Sequence, residues 1–351
     1  MKRISDFFIL RYGFYIATLL LTVLLFLVDG CTNPENRYEN DSVWSLPSFK
    51  KEQGIVLSLT DTSRFFCPIR QQPVRWLEKN VAVSSVMVRR NLVYLFYSGM
   101  DDQGISRIGI SISGDGIHFS KVNQPLLFPA EDFMKEHEKG GIANPRIVEN
   151  ENGTFILNYT AYDGKTSRLC IATSGDLLNW TKEGPAFSGN YFSMPASSGS
   201  MVARREENQI IAQKINDKYW MYFNNDSLFV ATSYNLIQWE PSKDNEGKVI
   251  KSSTVNHLES GPFALSTPQG VVLPYKREGL TTQLLFDPED PTKIIDRFED
   301  NLSIVGDADA KTLAGLVSFK NSWFLYYPIS ESQFGIAISS QTNSVVPAPN
   351  Q

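Results

Sequence analysis

A strand that runs into a tight turn and ends on an aromatic residue recurs along the chain, and this repeat constrains the fold more than any other feature. The clearest copies cover residues 107–119, 168–180 and 228–239. In each copy a Ser-x-Asp or Ser-x-Asn turn follows the strand, and weaker copies begin at Gln283 and Phe334. A unit that recurs every roughly 50 to 60 residues indicates an architecture of repeated supersecondary elements.

Two further strands precede each copy of this unit. One is short, with small or polar residues, and the other is rich in aromatics at residues 92–97, 154–159, 218–223, 270–275 and 322–327. Five units of three or four strands, with almost no helical periodicity, predict an all-β protein, a five-bladed β-propeller. A β-sandwich is the main alternative, but a sandwich need not repeat its sequence. The aromatics that end the units, Phe119, Trp180 and Trp239, are expected to pack between adjacent blades.

The two ends of the chain differ in composition from the body. Basic residues precede an apolar run at residues 16–28, and Asp29-Gly30-Cys31 closes it. This pattern predicts a lipoprotein-type signal peptide over residues 1–30, with Cys31 lipidated, although Asp29 fits the small-residue pattern poorly. The alternative is an uncleaved anchor helix, and both place the body outside the cytoplasm, in the periplasm or at the outer-membrane surface.

The remaining boundaries follow from the same change in composition. Residues 31–42 form a polar tether, residues 43–340 form the propeller, and residues 341–351 form a tail. Within the propeller, residues 43–80 precede the first full unit, so we expect them to complete the last blade or to cover one face. The membrane is therefore a predicted partner through the N-terminal lipid alone.

Charge and cysteine content exclude several classes of partner. The net charge is −5, and basic and acidic residues are interspersed, so the basic stripe of a nucleic-acid-binding protein is missing. An oxidising compartment would permit a disulfide between Cys67 and Cys170. Because they are far apart in sequence, they are expected to be separate buried residues. No metal-ligand spacing surrounds them or the three histidines, so we predict no metal site.

In a propeller the innermost strand of each blade faces the central axis, which places the start of each unit near a ligand. The residues in contention there are Ser84, Ser85, Asn144, Arg146, Ser198, Ser200, Glu259 and Ala314. The loop after the second strand of each unit adds Asp101, Asp102, Tyr162, Asp163, Asn225, Asp226, Lys276, Glu278 and Glu331.

From about Phe65 to Ser339 the chain resembles glycoside hydrolase family 130, the five-bladed propeller enzymes that phosphorolyse or hydrolyse β-mannosides. The resemblance is carried by residues 106–109 with 114–119, 144–147 with 159–164, 212–222, 258–262 and 285–293. It implies an oligosaccharide or glycan as the partner. It also implies that no cofactor is needed, with inorganic phosphate as a co-substrate if the reaction is phosphorolysis.

The chain departs from the family pattern at the catalytic positions. Members carry Glu-Asp-Pro-Arg where this chain has Ala143-Asn144-Pro145-Arg146, and the family aspartate is the proton donor. An asparagine cannot donate that proton. The first-blade Asn-Pro motif is replaced at residues 83–85, an arginine and a glutamate are replaced at residues 98–100, and in the last blade Ala314 replaces a glutamate.

Inverting glycoside hydrolysis needs two carboxyl groups roughly 6.5–9.5 Å apart. The predicted channel offers one carboxylate, Glu259, and one cation, Arg146, with Asp163 in a loop nearby. Glu259 and Asp163 are thus the catalytic candidates, and an ion pair of Arg146 with either of them that ties the blades together is an alternative. The expected substrate-binding residues are Asn144, Arg146, Ser85, Asp101, Tyr162, Ser200, Lys276 and Glu331.

Three functional hypotheses follow from this pattern. The first is a glycoside hydrolase or phosphorylase-like propeller acting on mannose-containing or related glycans, in which a rearranged acid replaces the family donor. The second is a non-catalytic, glycan-binding lipoprotein that kept the cleft and lost the acid. A protein that neither binds nor cleaves glycans, a structural or protein-interaction propeller, is the third.

Overall fold

A computed structural model describes residues 48–59, 63–224, 227–253, 259–260, 264–277, 280–298, 302, 304–307, 313–330 and 332–339. The predicted signal peptide, Cys31, the tether and the tail lie outside the described residues. In the described part the chain is almost entirely strand and loop, with one four-residue helix, α1 (Lys135–Glu138), and a 3₁₀ turn at Gly189–Tyr191. No helix in these ranges combines the length and apolarity that a membrane crossing needs.

Four short strands come first: β1 (Phe49–Lys51), β2 (Leu57–Ser58), β3 (Arg64–Cys67) and β4 (Gln72–Arg75). The strands β3 and β4 form a hairpin of their own. The chain that follows it packs onto the first blade, where the indole of Trp76 stacks on the ring of Tyr97 with 5.9 Å between centroids. The segment before the first unit thus covers part of the first blade.

The next strands form three antiparallel sheets, blades 1 to 3. Blade 1 contains β5 (Asn80–Arg89), β6 (Leu92–Met100), β7 (Ser106–Ser113) and β8 (Ser120–Lys121). Blade 2 contains β9 (Gly141–Glu149), β10 (Phe155–Tyr162), β11 (Ser167–Ser174) and β12 (Thr181–Pro185). Blade 3 contains β13 (Ser197–Glu206), β14 (Gln209–Ala212), β15 (Lys214–Ile215), β16 (Lys218–Asn224), β17 (Leu228–Ser233), β18 (Glu240–Pro241) and β19 (Lys251–Ser253).

Blades 4 and 5 repeat the pattern and complete the five-bladed propeller. Blade 4 contains β20 (Glu259–Ser260), β21 (Ala264–Thr267), β22 (Gly270–Arg277), β23 (Leu280–Phe286) and β24 (Ile294–Phe298). Blade 5 contains β26 (Gly315–Phe319), β27 (Ser322–Ser330) and β28 (Gln333–Ser339), preceded by the two-residue β25 (Ile304–Val305). The predicted all-β architecture and its five units are confirmed.

The last blade takes its outer strand from the other end of the chain. Lys50 of β1 pairs antiparallel with Ile338 of β28, and Leu57 of β2 pairs with Phe334 of the same strand. The expectation that residues 43–80 complete the last blade is therefore confirmed for β1 and β2. Because blade 5 is assembled from both ends of the sequence, this pairing fastens the ring.

The blades are held together by apolar side chains between them. The ring of Phe119, at the end of blade 1, meets Tyr326 of blade 5 edge-on at 5.7 Å, as expected for an interblade aromatic. The side chain of Trp239 is buried, and its indole N–H donates to the carbonyl of Leu236. Cys67 and Cys170 are both buried and unbonded to each other, which confirms that they are separate.

Candidate functional site

One end of every blade gathers the first residues of the inner strands and the loops that follow the second strands. Neighbouring strands within a blade are antiparallel, so the start of one strand lies beside the end of the next. Gly141 at the start of β9 pairs with Tyr162 at the end of β10, and Gly315 at the start of β26 pairs with Tyr326 of β27. We call this end of the propeller the axial face.

Inner strands of neighbouring blades contact one another around the axis. The contacts join β26 to β5, β5 to β9, β9 to β13 and β13 to β21. The approach is close between blades 5 and 1, where a Cβ built on Gly315 would lie 2.4 Å from Cγ2 of Val86. The sequence-predicted residues on β5, β9 and β13 are thereby brought to one ring.

Three of these inner strands carry a β-bulge. The bulge takes up Ser84 in β5, Asn144 and Pro145 in β9, and Ser198 and Gly199 in β13. Asn144 and Ser198 have left-handed backbones, with φ of 54° and 48°. A bulge breaks the strict alternation of a strand and turns a side chain out of its usual direction. Its occurrence in three blades marks this ring as the candidate functional site.

Hydrogen bonds from two blades fix the position of Asn144. Its backbone N–H donates to Oγ of Ser98 in blade 1 over 3.0 Å, and its Nδ2 donates to Oγ1 of Thr160 over 3.4 Å. Thr160 Oγ1 also accepts the backbone N–H of Ser198 in blade 3, over 3.3 Å. One hydroxyl therefore links the bulges of blades 2 and 3.

Two more side chains tie the ring across blades. Nη1 of Arg146 donates to the carbonyl of Ser84, which joins blade 2 to blade 1. Nδ2 of Asn158 donates to the carbonyl of Gly199 over 2.7 Å, which joins blade 2 to blade 3. Ser85 and Ser200, both predicted to bind substrate, are buried beside these bonds, at 3% and 0% exposure.

Asn158 and Thr160 are two ring residues that were not predicted from the sequence. Both are polar and buried, and they alternate with Leu157, Tyr159 and Ala161 on an otherwise apolar strand. That alternation was a usable signal, because buried polar groups are kept only where they find hydrogen-bond partners.

Asp101 lies in the loop after β6 and is enclosed by its own blade and by the β3–β4 hairpin. Its Oδ2 accepts Nη1 of Arg107 and Nη1 of Arg70, each over 2.9 Å. Its Oδ1 accepts the backbone N–H groups of Gln103 and Ile105, also over 2.9 Å. The carboxylate is fully buried, so the structure places Asp101 within the loop and not on an open surface.

Asp163 occupies the equivalent loop of blade 2 in the same manner. Its Oδ1 accepts the backbone N–H groups of Lys165 and Thr166, and its Oδ2 accepts Nη1 of Arg168 over 2.5 Å. The Arg168 guanidinium, together with these two N–H groups, holds the pKa of Asp163 well below its usual range. Asp163 is therefore ionised at neutral pH, which suits a base and not a proton donor.

The other predicted residues reach the axial face to different extents. Tyr162 ends β10 with its side chain 40% exposed. Glu259 pairs through its backbone with Lys276, which places both residues at the axial end of blade 4. Glu331, Asn225, Asp226 and Glu278 lie outside the described residues.

The arrangement at the ring is rich in neutral hydrogen-bonding groups. The first strands of blades 1, 2, 3 and 5 start without an Asp or Glu, and the bulges of blades 1 to 3 present hydroxyl, amide and backbone groups. Such groups both donate and accept, which matches the hydroxyls of a polyol. In the ranges that the structure covers, no group of three or more His, Cys, Asp or Glu residues is placed to hold a metal ion.

Comparison with known proteins agrees with this geometry. The model of glycoside hydrolase family 130, described as beta-1,4-mannooligosaccharide phosphorylase, matches residues 69–279. A 1,2-beta-oligomannan phosphorylase of Thermoanaerobacter sp. (strain X514) is 24% identical over 238 residues, which are 63% of this chain and 74% of the relative.

Two solved structures are similar over most of the chain. A glycosyl hydrolase from Bacteroides ovatus has a TM-score of 0.78 at 29% identity, over 86% of this chain and 95% of that one. A structure described with the family 130 glycoside hydrolases that target beta-1,2 mannosidic linkages in Candida mannan has a TM-score of 0.78 at 30% identity, over 87% and 97%. The chain is a member of glycoside hydrolase family 130.

Proposed function

We propose that this protein binds β-mannosides at the axial face and that position 144 supplies no proton to a glycosidic bond. The observation that carries the proposal is Asn144. It stands on a bulge of the ring, held by Ser98 and Thr160, with an amide where the family resemblance implies a carboxylic acid. A side-chain amide has no proton to transfer at neutral pH, but it hydrogen-bonds a sugar hydroxyl well.

The other candidate acids nearby support binding in preference to the usual chemistry. General acid catalysis needs a carboxyl group that is protonated at working pH, which requires a raised pKa. The pKa of Asp163 is lowered instead, with Arg168 as the main cause. Asp101 is fully buried between Arg107 and Arg70. Both carboxylates are thus occupied in holding loops, while the hydroxyl and amide groups of the ring remain suited to a sugar.

The substrate class comes from the relatives. The matching family model is described by a β-1,4-mannooligosaccharide activity, and the Thermoanaerobacter relative is named for β-1,2-linked oligomannan. Both linkages therefore belong in the test, as β-1,2-mannobiose and β-1,4-mannobiose.

The decisive experiment restores the missing carboxyl. The backbone of Asn144 has φ of 54°, a conformation that asparagine and aspartate both tolerate, so Asn144→Asp fits without strain. We expect the wild type to bind at least one mannobiose by calorimetry and to release no mannose. We expect Asn144→Asp to release mannose, since a placed general acid contributes about 10²–10⁴-fold in rate.

Asn150→Asp is the matched control. Asn150 lies in the β9–β10 loop at the opposite end of blade 2, and its Oδ1 accepts backbone N–H groups that an aspartate would also satisfy. This variant should bind mannobiose like the wild type and release nothing. If the wild type binds no mannoside of either linkage, the binding proposal is wrong.

A second candidate function is turnover by another acid, and the position of Glu259 favours it. The backbone pairing of Glu259 with Lys276 sets both at the axial end of blade 4. In this case the wild type cleaves a mannoside, with or without inorganic phosphate, and Glu259→Gln abolishes the cleavage. Wild-type turnover that survives Glu259→Gln would exclude Glu259 as the acid.

A further inference from the structure

A polar cleft opens beside the ring between blades 2 and 3. Its volume is about 270 Å³, near the lower end of the range for small-molecule sites. One wall is the loop after β10, with Lys165 and Ser167. The other is the start of blade 3, with Pro195 and Ser197, and Asn224 at the end of β16. A cleft of this size holds about one sugar ring.

The cleft adjoins the candidate site through the chain itself. Ser197, in its wall, directly precedes Ser198, whose backbone N–H donates to Oγ1 of Thr160. The same oxygen accepts the side-chain amide of Asn144. The backbone of the wall is also fixed, because the N–H of Ala196 donates to the carbonyl of Ser167 over 3.0 Å. A ligand bound at the ring could therefore extend into a cleft that is already formed.

An exposed aromatic ring stands on the segment that leads into this wall. Phe192 is 37% exposed and follows the 3₁₀ turn at Gly189–Tyr191. The guanidinium of Arg168 lies over its ring, 5.6 Å from the centroid, and the ring of His137 meets it edge-on at 5.4 Å. Two independent contacts thus hold the phenyl ring in place. Because the ring is still partly exposed, a ligand that covered its apolar surface would be stabilised.

The chemistry of these groups matches a carbohydrate. Hydroxyl groups and an amide in the cleft can exchange hydrogen bonds with sugar hydroxyls, and Lys165 adds a donor. An aromatic face is electronegative and attracts the slightly positive C–H groups on the flat side of a pyranose ring. A fixed side chain also loses less conformational entropy on binding than a free one.

We propose that this cleft is a sugar subsite beyond those that mannobiose fills, with Phe192 as a stacking platform beside it, so that the protein prefers oligomannosides over the disaccharide. This inference rests on the proposed function, because it assumes that the two sugar units of mannobiose occupy the ring. It adds the length of the ligand and the direction in which the ligand runs, from the axis outward between blades 2 and 3.

The test compares affinities for β-1,2-linked mannobiose, mannotriose and mannotetraose, and for the β-1,4 series, by calorimetry. We expect affinity to rise with length in the wild type. Phe192→Ala should weaken binding of the longer sugars about threefold to tenfold, the range typical of one aromatic contact, and should leave mannobiose affinity unchanged. Lys165→Ala, at an exposed side chain, should also weaken binding of the longer sugars.

Phe133→Ala is the matched control, because Phe133 is 67% exposed and lies near Gly184 on the outer part of blade 2. It should leave all affinities unchanged. If mannobiose binds but affinity does not rise with length, or if Phe192→Ala weakens every sugar equally, the subsite is refuted while the proposed function stands. If no mannoside binds, the proposed function fails and the subsite fails with it.

Discussion

The two loop carboxylates, Asp101 and Asp163, make matched pairs with arginines in different surroundings, and their removal should cost very different amounts of stability. The changes are Asp101→Asn and Asp163→Asn. Asparagine keeps an oxygen that can accept the backbone N–H groups of each turn, so the substitution removes mainly the charge. The two variants therefore isolate the effect of burial on one repeated ion pair.

The size of each effect follows from exposure. The side chains of Asp101 and Arg107 are 0% and 1% exposed, so Asp101→Asn leaves a buried guanidinium without its counter-charge. Breaking a buried pair in this way costs about 3–5 kcal/mol. Asp163 and Arg168 are 19% and 14% exposed, and water can solvate the freed charge, so Asp163→Asn should cost about 1 kcal/mol.

Thermal unfolding followed by circular dichroism at neutral pH measures the difference. For a protein of this size about 2 °C of midpoint corresponds to 1 kcal/mol, which gives a drop of roughly 6–10 °C for Asp101→Asn and about 2 °C for Asp163→Asn. Equal shifts for the two variants, or a larger shift for Asp163→Asn, would refute the reasoning from burial.

Two further predictions concern the repeated turn and the closeness of the inner strands. The backbone N–H of Asn179, with other donors, lowers the pKa of Asp176 from 3.8 to about 2, so its carboxylate stabilises the fold above pH 3.8 and this contribution is lost as the pH falls through about 2. Asp176→Asn, which copies Asn235 of blade 3, should flatten the fall of the unfolding midpoint between those pH values; an unchanged slope contradicts this. Gly315→Ala should cost about 1–3 kcal/mol, since its Cβ would lie 2.4 Å from Val86, and adding Val86→Ala should restore part of it in urea unfolding. An unaltered urea midpoint for Gly315→Ala would contradict the predicted clash.

The fold could be predicted from the sequence because each repeated turn is closed by hydrogen bonds between residues that are close in sequence. In blades 1 and 2, Oγ of Ser113 or Ser174 accepts the N–H three residues on, and Oδ1 of Asp115 or Asp176 accepts the next N–H groups. Short polar side chains that close their own turn leave a recognisable pattern. The pairing of β28 with β1 was harder to predict, because β1 lies at the far end of the sequence. Only the structure identifies which blade β1 completes.

The candidate site was predicted only in part. Position in the repeat predicted that Asn144, Arg146, Ser85 and Ser200 lie near one another, and the structure places them on one ring. The bulges that turn Asn144 and Ser198 out of register could not be predicted, because a bulge depends on the pairing of two strands and not on one of them.

The role of Asp101 was also hidden from the sequence. The sequence shows an aspartate in a loop but does not show whether its carboxylate faces solvent or an arginine on the next strand. Burial between Arg107 and Arg70 comes from the packing of the β3–β4 region onto blade 1, which a local pattern does not contain.

The pairing of β1 with β28 also determines at which side of the propeller the described ends of the chain lie. Because β1 runs antiparallel to β28, Phe49 begins beside Ser339, where β28 ends, and this end of blade 5 is opposite to the axial face. Both described ends of the chain therefore leave the propeller from its rear. A tag joined directly to Phe49 or Ser339 starts on that side, whereas the cleft between blades 2 and 3 lies at the axial side of the propeller.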